Sequence, residues 1–151
     1  MKRPELKEFA CFADLSDEER EVFADVVQEL ELAAGEEVFL EGEEADGLVL
    51  VCSGRLRIER SAGGFHGTVG AGAALGALSL VAPGPREACA VAETASRVLW
   101  LPRSAYRRVA EDEPRAACRF MESVIADFAA LVRPGLAHFL PAVVDPSRPE
   151  E

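Results

Sequence analysis

The residues whose types and spacing suit chemistry lie together at positions 76–88, Gly76-Ala77-Leu78-Ser79-Leu80-Val81-Ala82-Pro83-Gly84-Pro85-Arg86-Glu87-Ala88. A glycine and small residues open one apolar turn of helix, Pro-Gly-Pro bends the chain, and an arginine follows. The N–H groups at a helix start attract anions. Arginine adds a permanent charge on a planar fork suited to phosphate. The pattern is an anion cradle with Gly76, Ala77, Leu78, Ser79, Arg86, Glu87 and Ala88 as candidate residues. Glu87 cuts against it, because a carboxylate beside a bound anion repels it. Arg86 also has a plain structural alternative, in which Glu87 or backbone carbonyls take up its charge.

Other chemistry finds little support. Cys11, Cys52, Cys89 and Cys118 lie far apart with no CxxC and apolar neighbours, so they read as reduced core or interface residues rather than ligands. His66 and His138 are distant from each other and lack metal-ligand spacing. Ser79 and Ser104 have no recognisable base partner. No enzymatic activity and no metal are expected.

The chain of 151 residues carries a net charge of -11. Residues 1–60 hold 7 Lys+Arg against 17 Asp+Glu, and the rest is close to balanced. Such a surface repels nucleic-acid backbones and anionic lipid, so neither partner is expected. No apolar run is long enough to span a bilayer. With no apolar segment after the basic N-terminus, the expected location is the cytoplasm.

Several elements must position the cradle. Residues 5–29 read as mostly helical, with Ser16-Asp17-Glu18-Glu19 as a capping box and Val22, Phe23, Val26, Val27 and Leu30 on one face. Residues 30–102 switch to short strands broken by glycine turns, among them Ala34-Gly35-Glu36, Glu41-Gly42-Glu43, Asp46-Gly47 and Ser53-Gly54. Leu48-Val49-Leu50-Val51-Cys52 is an apolar buried strand, and Phe65 to Val69 a shorter one. This rhythm predicts a jelly-roll type of β structure. Ser104 caps a short helix to Ala110. Pro114 suits the first turn of a longer helix, which Pro134-Gly135 stops after Arg133.

On that last helix Ala117, Met121, Val124, Phe128 and Leu131 repeat at 4-3-4-3, with Cys118, Ile125 and Val132 as a second stripe. The first row is coiled-coil-like. It predicts either a homodimer seam along 114–133 or a helix well buried on its own domain. Residues 134–151 are a Pro-rich tail.

Taken together, these segments resemble the cyclic nucleotide-binding domain family, which includes catabolite-activator-type regulators and protein kinase A regulatory subunits. The likeness rests on Leu15-Ser16-Asp17-Glu18-Glu19, Ala34 to Glu43, Leu50-Val51-Cys52-Ser53-Gly54-Arg55-Leu56, the 76–88 stretch, Val98-Leu99-Trp100-Leu101-Pro102-Arg103, and Glu113-Pro114. It implies a mainly β fold with flanking helices: a double-stranded β-helix or jelly roll with N-terminal helices and a long C-terminal helix. The domain spans 1–133, with helices at 5–29, a β-roll at 30–102 and helices at 104–133.

In the family the 76–88 position is a phosphate-binding cassette. Gly76, Leu78, Arg86 and Ala88 match its pattern. The glutamate that accepts the ribose 2′-hydroxyl is Ala77 here, and the small residue after the arginine is Glu87. The resemblance therefore implies a regulatory, non-enzymatic domain with weakened or lost cyclic AMP or cyclic GMP binding, acting by dimerisation or by docking an unknown protein partner. The competing expectation is a working sensor that binds a cyclic nucleotide or other phosphate ligand through Arg86 and signals through the C-terminal helix. The helix-turn-helix that family transcription factors append is missing, so direct DNA binding is not expected.

Overall fold

The run Leu48-Val49-Leu50-Val51 has no wet face, so as a strand it must be covered on both sides. A computed structural model, describing residues 5–61 and 66–139, shows how. The strands in chain order are β1 (Gln28–Leu32), β2 (Glu37–Phe39), β3 (Glu44–Ala45), β4 (Gly47–Ser53), β5 (Leu56–Glu59), β6 (His66–Val69), β7 (Ala74–Leu75), β8 (Gly84–Pro85), β9 (Cys89–Ala92) and β10 (Ser96–Pro102). They form two four-stranded sheets, β1-β10-β4-β7 and β2-β9-β5-β6, and a two-stranded ribbon β3-β8. All pairings are antiparallel. The fold is the expected jelly roll with flanking helices.

Because side chains alternate along a strand, β4 serves two cores. Leu48 and Leu50, with Leu99 and Leu101 of β10, face the helices. Val49 and Val51, with Val98, face the interior of the roll against Leu56 and Ala92.

The helices are α1 (Ala10–Ala13), α2 (Asp17–Ala24), α3 (Arg103–Asp112) and α4 (Pro114–Phe139). The capping box is present: Glu19 N–H donates to Ser16 Oγ, and Ser16 N–H donates to Glu19 Oε1 at 2.9 Å. That N–H holds the Glu19 carboxyl below its usual pKa. A depressed carboxyl stabilises above its unfolded pKa, so this contribution is lost as the pH falls through the acid range. Arg20 closes the other side of the entry. Its Nη1 donates to the carbonyls of Phe12 (3.2 Å), Ala13 (3.3 Å) and Leu15 (2.5 Å).

The helical reading of 5–29 needs correction. Helix α2 ends at Ala24, where Val26 and Val27 N–H both donate to the Phe23 carbonyl at 3.1 Å. Residues 28–32 then pair with β10, from Gln28↔Trp100 to Leu32↔Ser96. Tertiary pairing overrides the local helical pattern here. Leu30 lies on an exposed edge strand, flanked by Glu29 and Glu31, rather than on a helix face. Charged residues on such an edge discourage pairing with other chains.

Helix α3 starts at Arg103, one residue before the expected cap, and no side chain caps it. Helix α4 starts at Pro114 as expected but runs past Arg133 through Pro134 and Gly135 to Phe139. Proline removes one N–H and frees the carbonyl four residues back. That carbonyl belongs to Ala130, which is exposed, so water can satisfy it. Residues 62–65 and 140–151, including Phe65 and most of the Pro-rich tail, lie outside the described residues.

The predicted seam on α4 divides in the structure. Ala117 and Val124 are buried on the chain's own core, together with Ala116 and Phe120. Met121 is half-buried. Phe128 and Leu131 are exposed, Leu131 at 79% and its neighbour Ile125 at 57%. Phe120, outside the predicted seam, anchors the helix. Its ring lies 4.8 Å from that of Phe12, 5.0 Å from Phe23 and 5.8 Å from Tyr106.

The cysteines are all free. Cys11 belongs to the core, where burial pushes its thiol pKa up to about 12. Cys118 is exposed on α4. No helix among the described residues is long and apolar enough to cross a membrane.

Candidate functional site

Gly76 leaves β7 with φ +84°, a left-handed conformation that glycine adopts freely. It starts the 3-10 helix Ala77–Leu80, which Ser79 N–H closes onto the Gly76 carbonyl at 3.0 Å. The first N–H groups of any helix lack intrahelical acceptors. Those of Ala77 and Leu78 are therefore the donors that this turn presents. The chain then turns through β8, whose pairing with β3 sets Glu44 opposite Pro85. Arg86 N–H donates to the Glu43 carbonyl (2.7 Å), and Gly42 N–H donates to the Arg86 carbonyl (2.9 Å). The backbone of Arg86 is thus clamped on both sides.

The side chain of Arg86 folds inward and is only 9% exposed. Its Cζ sits 4.1 Å from the centroid of the Phe39 ring, in cation–π range. Its Nη2 makes a long 3.4 Å hydrogen bond to the Gly47 carbonyl. No carboxylate lies within ion-pair distance of it among the described residues. Burial pulls the guanidinium pKa down, while the Asp46 and Glu43 carboxylates act through space to raise it. Arginine stays charged under such shifts. The result is a buried cation held by one weak bond and an aromatic face. A buried charge without a partner is costly, and here the geometry keeps it in place.

Glu87 is exposed and makes no ion pair with Arg86. Of the two structural alternatives for Arg86, pairing with Glu87 is therefore not what the structure uses; a backbone carbonyl is. Ala77 is half-buried and packs against the helical core. Leu78 is exposed and Ala88 half-buried. Ser79 is buried and fully engaged: Gly47 N–H donates to its Oγ (3.0 Å), which lies 2.9 Å from the Gly47 carbonyl and 2.6 Å from that of Gly76.

Residues outside the 76–88 stretch complete the arrangement. Gly47 binds both Ser79 and Arg86, and Phe39 supports the guanidinium. The sequence signalled Gly47 only as a turn and Phe39 only as a strand residue. Arg103 reaches back from α3, donating from Nε to the Leu80 carbonyl at 3.3 Å. Its N–H donates to the Asp46 carbonyl at 2.7 Å. The end of the cassette helix and the start of α3 are therefore bonded directly.

A Cβ on Gly76 would overlap Arg86 Nη1 and approach the Gly47 carbonyl to 2.9 Å. Gly76→Ala is expected to cost about 1–2 kcal/mol for the left-handed backbone alone, and to push the guanidinium off Phe39. Urea denaturation checks the first effect. The arginine side-chain NMR signal checks the second, and an unmoved signal would contradict this account of the packing.

A family model described as the cyclic nucleotide-binding domain matches residues 29–113, more than half of the chain. Among solved structures, the chain is similar to the N-terminal domain of a transcriptional regulator from Streptomyces coelicolor A3(2), at 29% identity and TM-score 0.75, covering 83% of this chain and 93% of that one. It is similar to a cyclic nucleotide-binding-like protein from Brucella abortus, at 31% identity and TM-score 0.62, covering 71% and 95%. It also resembles the catabolite activator protein of Thermus thermophilus, at 25% identity and TM-score 0.71, covering 86% of this chain but 62% of that one. The chain thus spans less than two thirds of the Thermus protein. No curated protein matches it.

Proposed function

Because the chain belongs to the cyclic nucleotide-binding domain family, we propose that it is a non-enzymatic regulatory domain that keeps an anion anchor at Arg86 and binds cyclic AMP or cyclic GMP only weakly. The observation that carries this reading is the buried, backbone-clamped Arg86 with no carboxylate in ion-pair distance among the described residues. An arginine kept for structure alone would be expected to reach several acceptors, whereas the hydrogen bond this side chain makes among the described residues is the long one to the Gly47 carbonyl, at 3.4 Å. Weakness follows from Ala77, which offers no acceptor to a ligand hydroxyl; an unpaired buried donor costs about 1–3 kcal/mol. Glu87 adds like charge near the phosphate. Arg103 provides the link outward, since a ligand that shifts the cassette helix pulls on α3, which packs on α4. Binding would then bias the position of α4.

Calorimetry with cyclic AMP and cyclic GMP tests the reading. Wild type is expected to bind in the millimolar range, and Arg86→Gln not at all. The double change Ala77→Glu with Glu87→Ser is expected to tighten binding at least tenfold, roughly the 1.4 kcal/mol that a restored acceptor supplies. Failure of the double variant to bind, while still folded by circular dichroism, would overturn the proposal.

A second reading rests on a different observation, the apolar residues that α4 leaves exposed. Cys118, Ile125 and Phe128, which are exposed, and Met121 and Val132, which are half-buried, repeat at 3-4-3-4, the spacing of a two-helix seam. In this reading a second copy of the chain covers that face. Sedimentation of Ile125→Glu against wild type tests it.

A further inference from the structure

The end of the cassette helix and α3 leave a cleft between them that Arg86 does not line. Its volume is about 340 Å³. That is near the lower end for small-molecule sites, so it takes one or two side chains rather than a folded surface. Leu80 and Val81 form one wall, Tyr106 and Ala110 the other. Val81 is 52% exposed, and Leu78, whose carbonyl accepts the Val81 N–H, is exposed too. Arg103 Nε on the Leu80 carbonyl (3.3 Å) ties the two walls together, so a bond of the chain's own sets the width. The charged groups of the lining are mostly cationic. Arg103 and Arg107 stand one helical turn apart on α3, against one carboxylate, Glu111. Among the described residues no carboxylate lies in ion-pair distance of either arginine. Asp112 and Glu113, next along the chain, and Asp46, whose carbonyl takes the Arg103 N–H, do not line the cleft.

We infer that this cleft docks an acidic peptide segment of a partner protein, with one apolar side chain set between carboxylates. The apolar side chain enters between Val81 and Ala110 and gains by leaving water. The carboxylates meet the guanidinium groups of Arg103 and Arg107, which offer charged, forked donors. Charge also argues against a larger anion. The chain as a whole carries -11, so a nucleic acid or an anionic membrane would meet the acidic remainder of the surface as well and be repelled. A short segment with two or three charges meets the cleft alone. The inference holds whether or not Arg86 takes up an anion.

The probe is a blocked pentapeptide with leucine between two glutamates and glycine at each end. It is titrated into the full chain at about 0.15 M salt, following the backbone amide NMR signals of Val81, Tyr106 and Ala110. Glutamine in place of both glutamates is expected to weaken binding about tenfold, the worth of one charged hydrogen bond. Glycine in place of leucine is expected to weaken it about fivefold or more. On the protein, Arg107→Glu is expected to abolish the response. Arg108→Glu makes the same change of charge one residue away, outside the cleft lining, and is expected to alter affinity by less than about twofold. Both arginines are exposed, so neither variant threatens the fold, and the order of the peptides on wild type needs no variant. No response in wild type at about ten millimolar peptide overturns the inference. So does a glutamine peptide that binds as tightly. Equal losses in Arg107→Glu and Arg108→Glu overturn it too, because they would report a diffuse field rather than a cleft. A deoxythymidine dodecamer is titrated into the same samples. If it shifts these amides and the acidic peptide does not, the surface serves nucleic acid and the inference falls.

Discussion

Replacing Phe120 by alanine is expected to cost about 3–5 kcal/mol of folding stability, the range for emptying a large aromatic from a packed core. Phe120 is fully buried and touches the rings of Phe12, Phe23 and Tyr106, which come from three other helices. Phe12 and Phe23 also meet edge to face, at 5.2 Å. Removing Phe120 takes away the common contact of α1, α2, α3 and α4 at once. Urea denaturation measures the loss. Phe128→Ala, one of the exposed positions on the same helix, is the control and should stay within about 1 kcal/mol of wild type. A small effect at Phe120 would mean that α4 is not held by this cluster.

Two adjacent positions on α4 should give opposite results. Val124→Glu is expected to unfold the domain or cost more than about 3 kcal/mol, because a carboxylate without a partner is costly to bury. Val124 is 4% exposed and belongs to the helical core. Ile125→Glu is expected to leave stability of the single chain nearly unchanged, because Ile125 is 57% exposed. If a second copy covers the outer face, Ile125→Glu halves the mass seen by sedimentation while the fold remains. A monomer mass in wild type and Ile125→Glu alike removes the dimer reading. Circular dichroism on both variants separates loss of fold from loss of assembly. The choice of position matters: a charge at Val124 alone reports on folding and says nothing about association.

These two outcomes also bear on signalling. The aromatic cluster fixes the first half of α4 against α1, α2 and α3, and Arg103 ties α3 to the cassette helix. The second half of α4 carries the exposed apolar residues. If Arg86 takes up a ligand as proposed, its effect would pass from the cassette helix through Arg103 to α3, which packs on α4.

Local chemistry was legible wherever a few neighbouring residues decide the outcome. Ser16 and Glu19 form their capping box because both groups lie within one helical turn. Pro114 begins α4 because its missing N–H costs nothing in the first turn. Gly76 takes the left-handed conformation that a tight turn demands. The run Leu48–Val51 reads as a doubly covered strand because it offers no face to water. These features, with the spacing from Gly76 to Arg86, determined the fold class and located the candidate cassette.

Pairing between distant segments was not legible. Residues 30–32 read as strand, but nothing local names β10 as the partner or starts the strand at Gln28; the row of backbone groups that β10 offers decides both. On α4 both apolar stripes look alike in sequence. Only packing on α1, α2 and α3 buries Ala117, Phe120 and Val124 and leaves Ile125, Phe128 and Leu131 in water. The same holds for Arg86. Its sequence neighbour Glu87 looks like its partner, but Glu87 lies in the bend between β8 and β9 and is exposed. The clamp from Gly42 and Glu43 turns Arg86 inward onto Phe39 and Gly47, while Glu87 is left exposed. Residue types alone placed a cation in this cassette; only tertiary structure decided that it is buried, with no carboxylate of the described residues in ion-pair distance.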